Sequence, residues 1–191
     1  MRKLFVSMWV SLDGYVSGPN NDMSFIGENF SDEMGPYEGS VADRADTLVL
    51  GRVTYQSFAG SWPHVPDMPD RSEGEKQYAR SLNAMKKIVF SKTLPSADWN
   101  NSTLYREIDP AEIQKIKNEP GKDMAIYGSA SVVQELTNLG LIDEYQLLVF
   151  PVILGGGKAL FKDIQNKVKL NLVDSKPFTK SVMFLTYELA K

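Results

Sequence analysis

The chain has 191 residues, 42% of them apolar and 24% charged, with a formal net charge of −3, a balance that suits one folded domain (1–191) and excludes disordered and fibrous classes. That charge, without any Lys/Arg-rich run, offers no field for nucleic acid. With no cysteine and a single histidine, disulfides, thiolate catalysis and Cys-based zinc sites are excluded and no metal is expected; no apolar stretch reaches the roughly 18 residues of a membrane span, and a cytoplasmic location is the default.

Lys3 to Val10 is almost continuously apolar and rich in β-formers, as expected of a strand buried on both faces. Ser11-Leu12-Asp13-Gly14 closes it. Asp13-Gly14 is a turn signal by composition, and it also sets a carboxylate at a strand end. A weak helical pattern follows over Asn29 to Arg44, interrupted by Gly35-Pro36 and Gly39.

Asp46 to Gly51 reads as a second buried strand that runs straight into a helix from Arg52 to Phe58. Gly60 to Gly74, with Pro63, Pro66 and Pro69, reads as an irregular loop long enough to border a pocket. The lone His64 lies in this Pro-bounded segment and is expected to be structural or exposed.

Lys87 to Ser91 is a third strand, with Leu104 to Glu107 a short fourth. Asp109-Pro110-Ala111-Glu112 has the N-cap, first-turn proline and carboxylate of a helix start, and Pro120-Gly121 ends that helix. Asp123 to Tyr127 is a further strand, followed without a linker by Gly128-Ser129-Ala130-Ser131 and a helix that turns Val132, Val133, Leu136 and Leu139 inward and is capped by Gly140. Leu147 to Leu154 is a long apolar strand ending in Gly155-Gly156-Gly157. Lys169 to Asp174 and Val182 to Leu189 form a closing antiparallel pair.

Alternating strands and helices predict an α/β fold with a central, mostly parallel sheet flanked by helices, and ligands at the carboxyl ends of its strands. Three of those ends carry anion-binding groups. Gly128, Ser129, Ala130, Ser131 and Val132 open a helix, where unpaired N–H groups and the positive dipole end suit a pyrophosphate, although Ser129 equally suits a plain N-cap. Gly51, Arg52 and Thr54 add a glycine, a guanidinium and a hydroxyl at a second strand-to-helix junction. Ser91 and Lys92 follow a third strand. Arg52 and Lys92 are each also compatible with solvated surface charge, but their shared placement favours a cofactor with an extra phosphate, NADPH rather than NADH. Lys158, after the glycine run, can meet a phosphate or simply follow a turn.

Val10 to Gly14, Leu50 to Tyr55, Tyr127 to Ser131 and Pro151 to Phe161 together resemble, in order and over nearly the whole chain, the bacterial bifunctional deaminase-reductase C-terminal domain, the reductase unit of riboflavin biosynthesis. The resemblance implies a dihydrofolate-reductase-like fold, an enzyme that transfers hydride from NADPH to a small heterocycle, as 5-amino-6-(5-phosphoribosylamino)uracil reductase does, and a homodimer. By that likeness Gly51, Arg52, Thr54, Ser91 and Lys92 hold the adenosine-side phosphates, Gly128 to Val132 the pyrophosphate, and Asp13 the substrate side as a catalytic candidate. The zinc-dependent deaminase half has no counterpart in a chain without cysteine. The acidic residue that dihydrofolate reductases carry on a helix has only Glu28, Asp32 and Glu33 as candidates, so the proton donor stays unassigned. A true dihydrofolate reductase and a non-catalytic NADPH-binding sensor are the alternatives.

Overall fold

The computed structural model describes residues 1–190. Strand β1 (Leu4–Ser11) leads through a turn at Gly14 to a short β2 (Tyr15–Ser17), then to helices α1 (Ser24–Glu28) and α2 (Met34–Arg44). Next come β3 (Ala45–Gly51), α3 (Arg52–Ser61), α4 (Glu73–Ala84), β4 (Lys86–Phe90), β5 (Ser102–Tyr105), α5 (Pro110–Asn118), β6 (Asp123–Gly128) and α6 (Ala130–Asn138). The chain closes with β7 (Glu144–Phe150), β8 (Lys158–Ala159), β9 (Leu170–Pro177) and β10 (Met183–Leu189).

One eight-stranded sheet runs in the order β5-β4-β3-β6-β1-β7-β10-β9. The strands from β5 to β7 are mutually parallel, whereas β10 runs antiparallel to β7 and β9 antiparallel to β10. The α/β fold with its mostly parallel sheet and antiparallel C-terminal strands is therefore as the sequence predicts. Parallel neighbours need a crossover, which helices supply except between β4 and β5, where residues 91–101 form it without a helix, and the last two strands need only a short hairpin.

Strand pleating sorts the core into two layers. Leu4, Val6, Met8 and Val10 of β1, with Met124 and Ile126 of β6, pack under α5 and α6 against Ile113, Ile116, Val132, Val133 and Leu136. Their alternates, Phe5 and Trp9 of β1 with Ala125 and Tyr127 of β6, face Met34, Tyr37 and Val41 of α2, Tyr55 of α3 and Leu82 of α4. Trp9 and Tyr127 thus share a face because each lies an even number of residues from an inward neighbour on its own strand.

Several predicted boundaries move. The weak helix expected over 29–44 is α2 alone, which starts five residues later at Met34, and the sequence reading left out the short α1 before Asn29. Pro36 is tolerated because it falls in the first turn of α2, where its missing N–H has no helical acceptor, while Gly35 and Gly39 cost about 1 kcal/mol each. Burial of Met34, Tyr37 and Val41, at roughly 2 kcal/mol each, outweighs that. The sequence reading left out α4, which Ser72 and Glu75 begin with a capping box. The 60–74 segment is correspondingly shorter, since α3 extends to Ser61 and a 3-10 turn spans Val65–Asp67. The strand expected over 147–154 is shifted to Glu144–Phe150, and its last four expected residues pass into the loop that begins at Pro151. The fourth strand is Ser102–Tyr105, and β9 runs on to Pro177.

The edge formed by the strand starts is held by charge. Arg2 bonds Asp46, Lys117 pairs with Asp143 at 2.7 Å, and Arg44 lies 4.1 Å from the Phe5 ring centroid while bonding Asp123 and Glu144. The opposite edge is where the predicted site residues collect. Among the described residues, no helix is long and apolar enough to cross a membrane.

Candidate functional site

Register brings the strand tips together. Gly51 pairs with Phe90, and Leu50 with Gly128, so the ends of β3, β4 and β6 are neighbours. The junctions after β3 and β6 touch: a Cβ on Gly51 would fall 2.1 Å from Ser129 Oγ, 3.0 Å from Ser129 N and 3.1 Å from Val132 Cγ2. Only a glycine lets the start of α6 lie this close to β3. Gly128 has φ +108 and a Cβ there would meet Thr54 Oγ1 at 3.0 Å, so Thr54 stands against the same turn.

The start of α6 is suited to an anion. The first internal amide bond of the helix is that from Val132 to the Ser129 carbonyl, so the N–H groups of Ala130 and Ser131 precede it. The Ser129 hydroxyl does not cap the helix and lies 3.2 Å from the Ser131 hydroxyl. Arg52 is exposed beside this turn, its guanidinium bonded to Gln56 at 3.0 Å. This donor set of amides, hydroxyls and a guanidinium fits the phosphates of a dinucleotide.

Ser91 and Lys92 divide in their roles. The Ser91 hydroxyl accepts from the amides of Thr93 and Leu94 at 3.2 and 2.9 Å and so shapes its own turn, while Lys92 is exposed. Arg106, which the sequence did not single out, donates to the carbonyls of Ser91 and Leu94 and braces that turn.

Asp13 lies beyond β6, at the joined tips of β1 and β7. One of its oxygens accepts from the Ser11 hydroxyl (2.6 Å) and the Leu154 amide (3.1 Å), and the other accepts from the Gly155 amide (2.8 Å). These donors, the Ser11 hydroxyl first, hold its carboxyl below the usual range. The side chain clasps the loop after β7. Lys158 lies on β8, with its ammonium 3.3 Å from Asn21 Oδ1.

Of the candidates Glu28, Asp32 and Glu33, the first two are exposed and the third is engaged away from the strand tips. Glu33 accepts from the amide and hydroxyl of Thr179, which ties the β9–β10 hairpin to the start of α2 and holds its carboxyl at about 2. A further carboxylate, which the sequence did not single out, is Glu38, bonded to Tyr127 at the end of β6. It accepts from Trp9 Nε1 at 3.0 Å, Tyr78 Oη at 2.9 Å and Tyr127 Oη at 2.9 Å. Burial pushes the carboxyl up, against the pull of those three neutral donors. Tyr78 and Tyr127 are raised in turn, first by burial and then by the Glu38 charge.

Aromatic rings surround this carboxyl. Phe58 lies 6.0 Å from the Tyr127 ring, Trp62 stands edge-on to Tyr78 at 5.2 Å, and Phe30 lies 6.3 Å from Trp9. The signal in the sequence was spacing: Glu38 is four residues after Met34 and three before Val41, both of which point inward. A charged residue on the apolar stripe of a helix was the clue.

The family described as the RibD C-terminal domain matches residues 2–184. The uncharacterized protein YyaP of Bacillus subtilis (strain 168) is 32% identical over 97% of this chain and 94% of its own length. Among solved structures, a protein provisionally named for riboflavin biosynthesis from Shewanella sp. PV-4 superposes with a TM-score of 0.77 at 20% identity over the whole of both chains. The diaminohydroxyphosphoribosylaminopyrimidine deaminase/5-amino-6-(5-phosphoribosylamino)uracil reductase of Thermotoga maritima gives a TM-score of 0.67 at 14% identity, over 99% of this chain and 57% of that one. A dihydrofolate reductase from Enterococcus faecalis, complexed with NADP(H), gives 0.62 at 16% identity over 99% and 97% of the two chains. At these identities the solved structures establish a common fold of the dihydrofolate-reductase type.

Proposed function

The chain belongs to the RibD C-terminal domain family, and from that premise we propose that it is an NADPH-dependent reductase of a small nitrogen heterocycle. The observation that carries the reading is that β6 feeds two chemistries within three residues: Tyr127 reaches the carboxyl of Glu38, and Gly128 and Ser129 open the helix that presents free amides.

The residues of the two contacting junctions divide the cofactor between them. The amides of Ala130 and Ser131, with the hydroxyls of Ser129 and Ser131, grip the pyrophosphate; Gly128 and Val132 shape the turn. Gly51, Arg52 and Thr54 with Ser91 and Lys92 serve the adenosine side, Arg52 and Lys92 supplying the charge that an extra phosphate rewards. When bound there, NADPH supplies the hydride.

The chain supplies position and a proton. The aromatic walls hold a planar ring against the cofactor and exclude water. The raised carboxyl of Glu38 retains a proton closer to neutral pH than an ordinary glutamate does, so it serves as general acid to the ring nitrogen as the adjacent carbon gains hydride. A C=N bond thereby becomes CH–NH, and Glu38 recovers its proton from solvent.

The test is a titration with NADPH and NADH of wild type and of the double variant Arg52→Ala, Lys92→Ala. Wild type is expected to prefer NADPH, and the preference to shrink by about 1–3 kcal/mol in the variant. Equal, weak binding of both cofactors sinks the reading, tight NADPH binding without turnover on any heterocycle favours a sensor, and efficient turnover of dihydrofolate favours a dihydrofolate reductase.

A further inference from the structure

We infer that Arg106 is a positioning residue for cofactor choice: by holding the turn that carries Lys92, it sets how strongly the protein prefers NADPH to NADH. It acts through Lys92 and not on the cofactor itself. This rests on the NADPH reading above and deepens it.

The place of Arg106 follows from strand register. β4 and β5 run parallel with Phe90 opposite Tyr105, and the Ser91 amide donates to the Tyr105 carbonyl at 3.0 Å. Arg106 is therefore the first residue past the paired stretch, where it meets the chain leaving β4. Its guanidinium donates through Nη1 to the carbonyls of Ser91 (3.2 Å) and Leu94 (2.5 Å), and through Nη2 to that of Pro95 (3.4 Å). Within the same turn the Ser91 hydroxyl accepts from the amides of Thr93 and Leu94. Carbonyls and amides over 91–95 are thus pinned from two sides, and the exposed Lys92 stands between the pinned points.

Arg106 gives this turn its fork more than its charge. Among the described residues it forms no ion pair with a carboxylate. Carbonyls of three residues between 91 and 95 need a planar head with several donors, a shape that an ammonium lacks. The far end of the same connection is anchored separately. The Trp99 amide donates to Tyr55 Oη at 2.8 Å, Trp99 Nε1 to Asn83 Oδ1 at 2.8 Å, and Lys87 Nζ to the Asn100 carbonyl at 3.0 Å. Loss of Arg106 therefore loosens residues 92–95 and leaves the fold in place.

The tip of β4 adjoins that of β3, where Gly51 pairs with Phe90 and Arg52 begins α3. A lysine on a fixed turn loses less freedom on meeting a phosphate than one on a loose turn, because the backbone beneath it is already set. NADH lacks the extra phosphate that Lys92 serves, so loosening the turn weakens NADPH alone.

The test measures NADPH and NADH affinities, by nicotinamide fluorescence, for wild type, Arg106→Ala, Arg106→Lys, Lys92→Ala and the double variant Arg106→Ala, Lys92→Ala. Arg106→Ala is expected to lower the preference for NADPH by roughly three- to tenfold, the scale of immobilising one long side chain, with NADH affinity within about twofold of wild type. Arg106→Lys keeps the charge and loses the fork, so it should fall with the alanine variant, and it carries the same readouts should Arg106→Ala not fold. Wild-type preference in Arg106→Lys would put the charge itself on the phosphate and overturn the inference. In the Lys92→Ala background, removal of Arg106 should lower the preference no further, and a fully additive loss overturns the inference too. Hydrogen exchange at the Thr93 and Leu94 amides, read without cofactor, should quicken in Arg106→Ala, and unchanged exchange at both sinks the brace. Faster exchange in a protein whose wild type shows no preference for NADPH would instead overturn the cofactor reading and leave Arg106 as the brace of the turn.

Discussion

Tyr127 donates its hydroxyl to Glu38 Oε2 at 2.9 Å, and the next residue along its strand is Gly128, where the turn into α6 begins. The two halves of the site are therefore mechanically joined through one strand end. A displacement of that turn reaches the carboxyl through a single side chain.

Gly51→Ala is expected to push the start of α6 away from β3, because the new methyl would lie 2.1 Å from Ser129 Oγ. The cost should be about 1–3 kcal/mol of stability, with weaker NADPH binding alongside. Adding Ser129→Gly removes the nearest of the clashing atoms and should restore part of the loss. Denaturant melts and NADPH titrations of the single and double variants check this.

Glu38 should trade stability for function. Its folded carboxyl sits above the unfolded value because burial is opposed only by the neutral donors Trp9, Tyr78 and Tyr127, and its charge also presses on Tyr37. The folded state then binds the proton more tightly, so the benefit is complete below the unfolded pKa and is lost as pH rises through the folded one. Glu38→Gln escapes that loss, and its amide can donate to the two tyrosine oxygens. It is expected to melt higher than wild type at pH 8 and no higher at pH 4, while turnover falls about 10²–10⁴-fold. A variant that melts lower at both pH values would contradict the stated balance.

Lys87 gives the opposite slope. Its side chain is buried on β4, with Nζ donating to the carbonyls of Asn83 and Asn100 and lying 4.1 Å from the Trp99 ring centroid, and burial lowers it from 10.5 to about 8. Between those values the unfolded chain holds the proton that the folded one releases, so this group's contribution rises with pH from 8 to 10.5 and is flat below. Wild type should gain on the order of 1–2 kcal/mol over Lys87→Met between pH 7.5 and 9.5. Chemical denaturation at the two pH values measures the difference.

Asp13→Ala separates a clasp from a substrate group. Release of the amides of Leu154 and Gly155 predicts faster hydrogen exchange at those two positions. NADPH affinity should hold. A loss of turnover larger than that caused by shortening the 151–157 loop would instead put Asp13 on the substrate.

Much of the geometry of the strand ends was legible because it depends on local facts. Gly128 to Val132 announce a strand entering a helix, and Gly51 to Thr54 repeat the pattern, so the groups suited to an anion are contiguous in the chain. Helix α4 was equally readable from Ser72 and Glu75 but was masked by the prolines before it. Glu38 was obscured by α2's glycines and proline, which weakened the helical period that would have set it on the inward face.

By itself the sequence determined the alternation of elements, the antiparallel close and the glycine-bearing strand ends, since propensity, pleating and turn chemistry act between near neighbours. Only the tertiary structure decided that β6 lies between β3 and β1, and hence that Trp9, Glu38, Tyr78 and Tyr127, from four different elements, share one buried carboxyl. It likewise turned Asp13 into a clasp of the loop after β7. The physical reason is that burial and hydrogen-bond partners 29 to 142 residues distant set what a polar side chain can do, and strand order, which brings such partners together, is written in no local stretch of the chain.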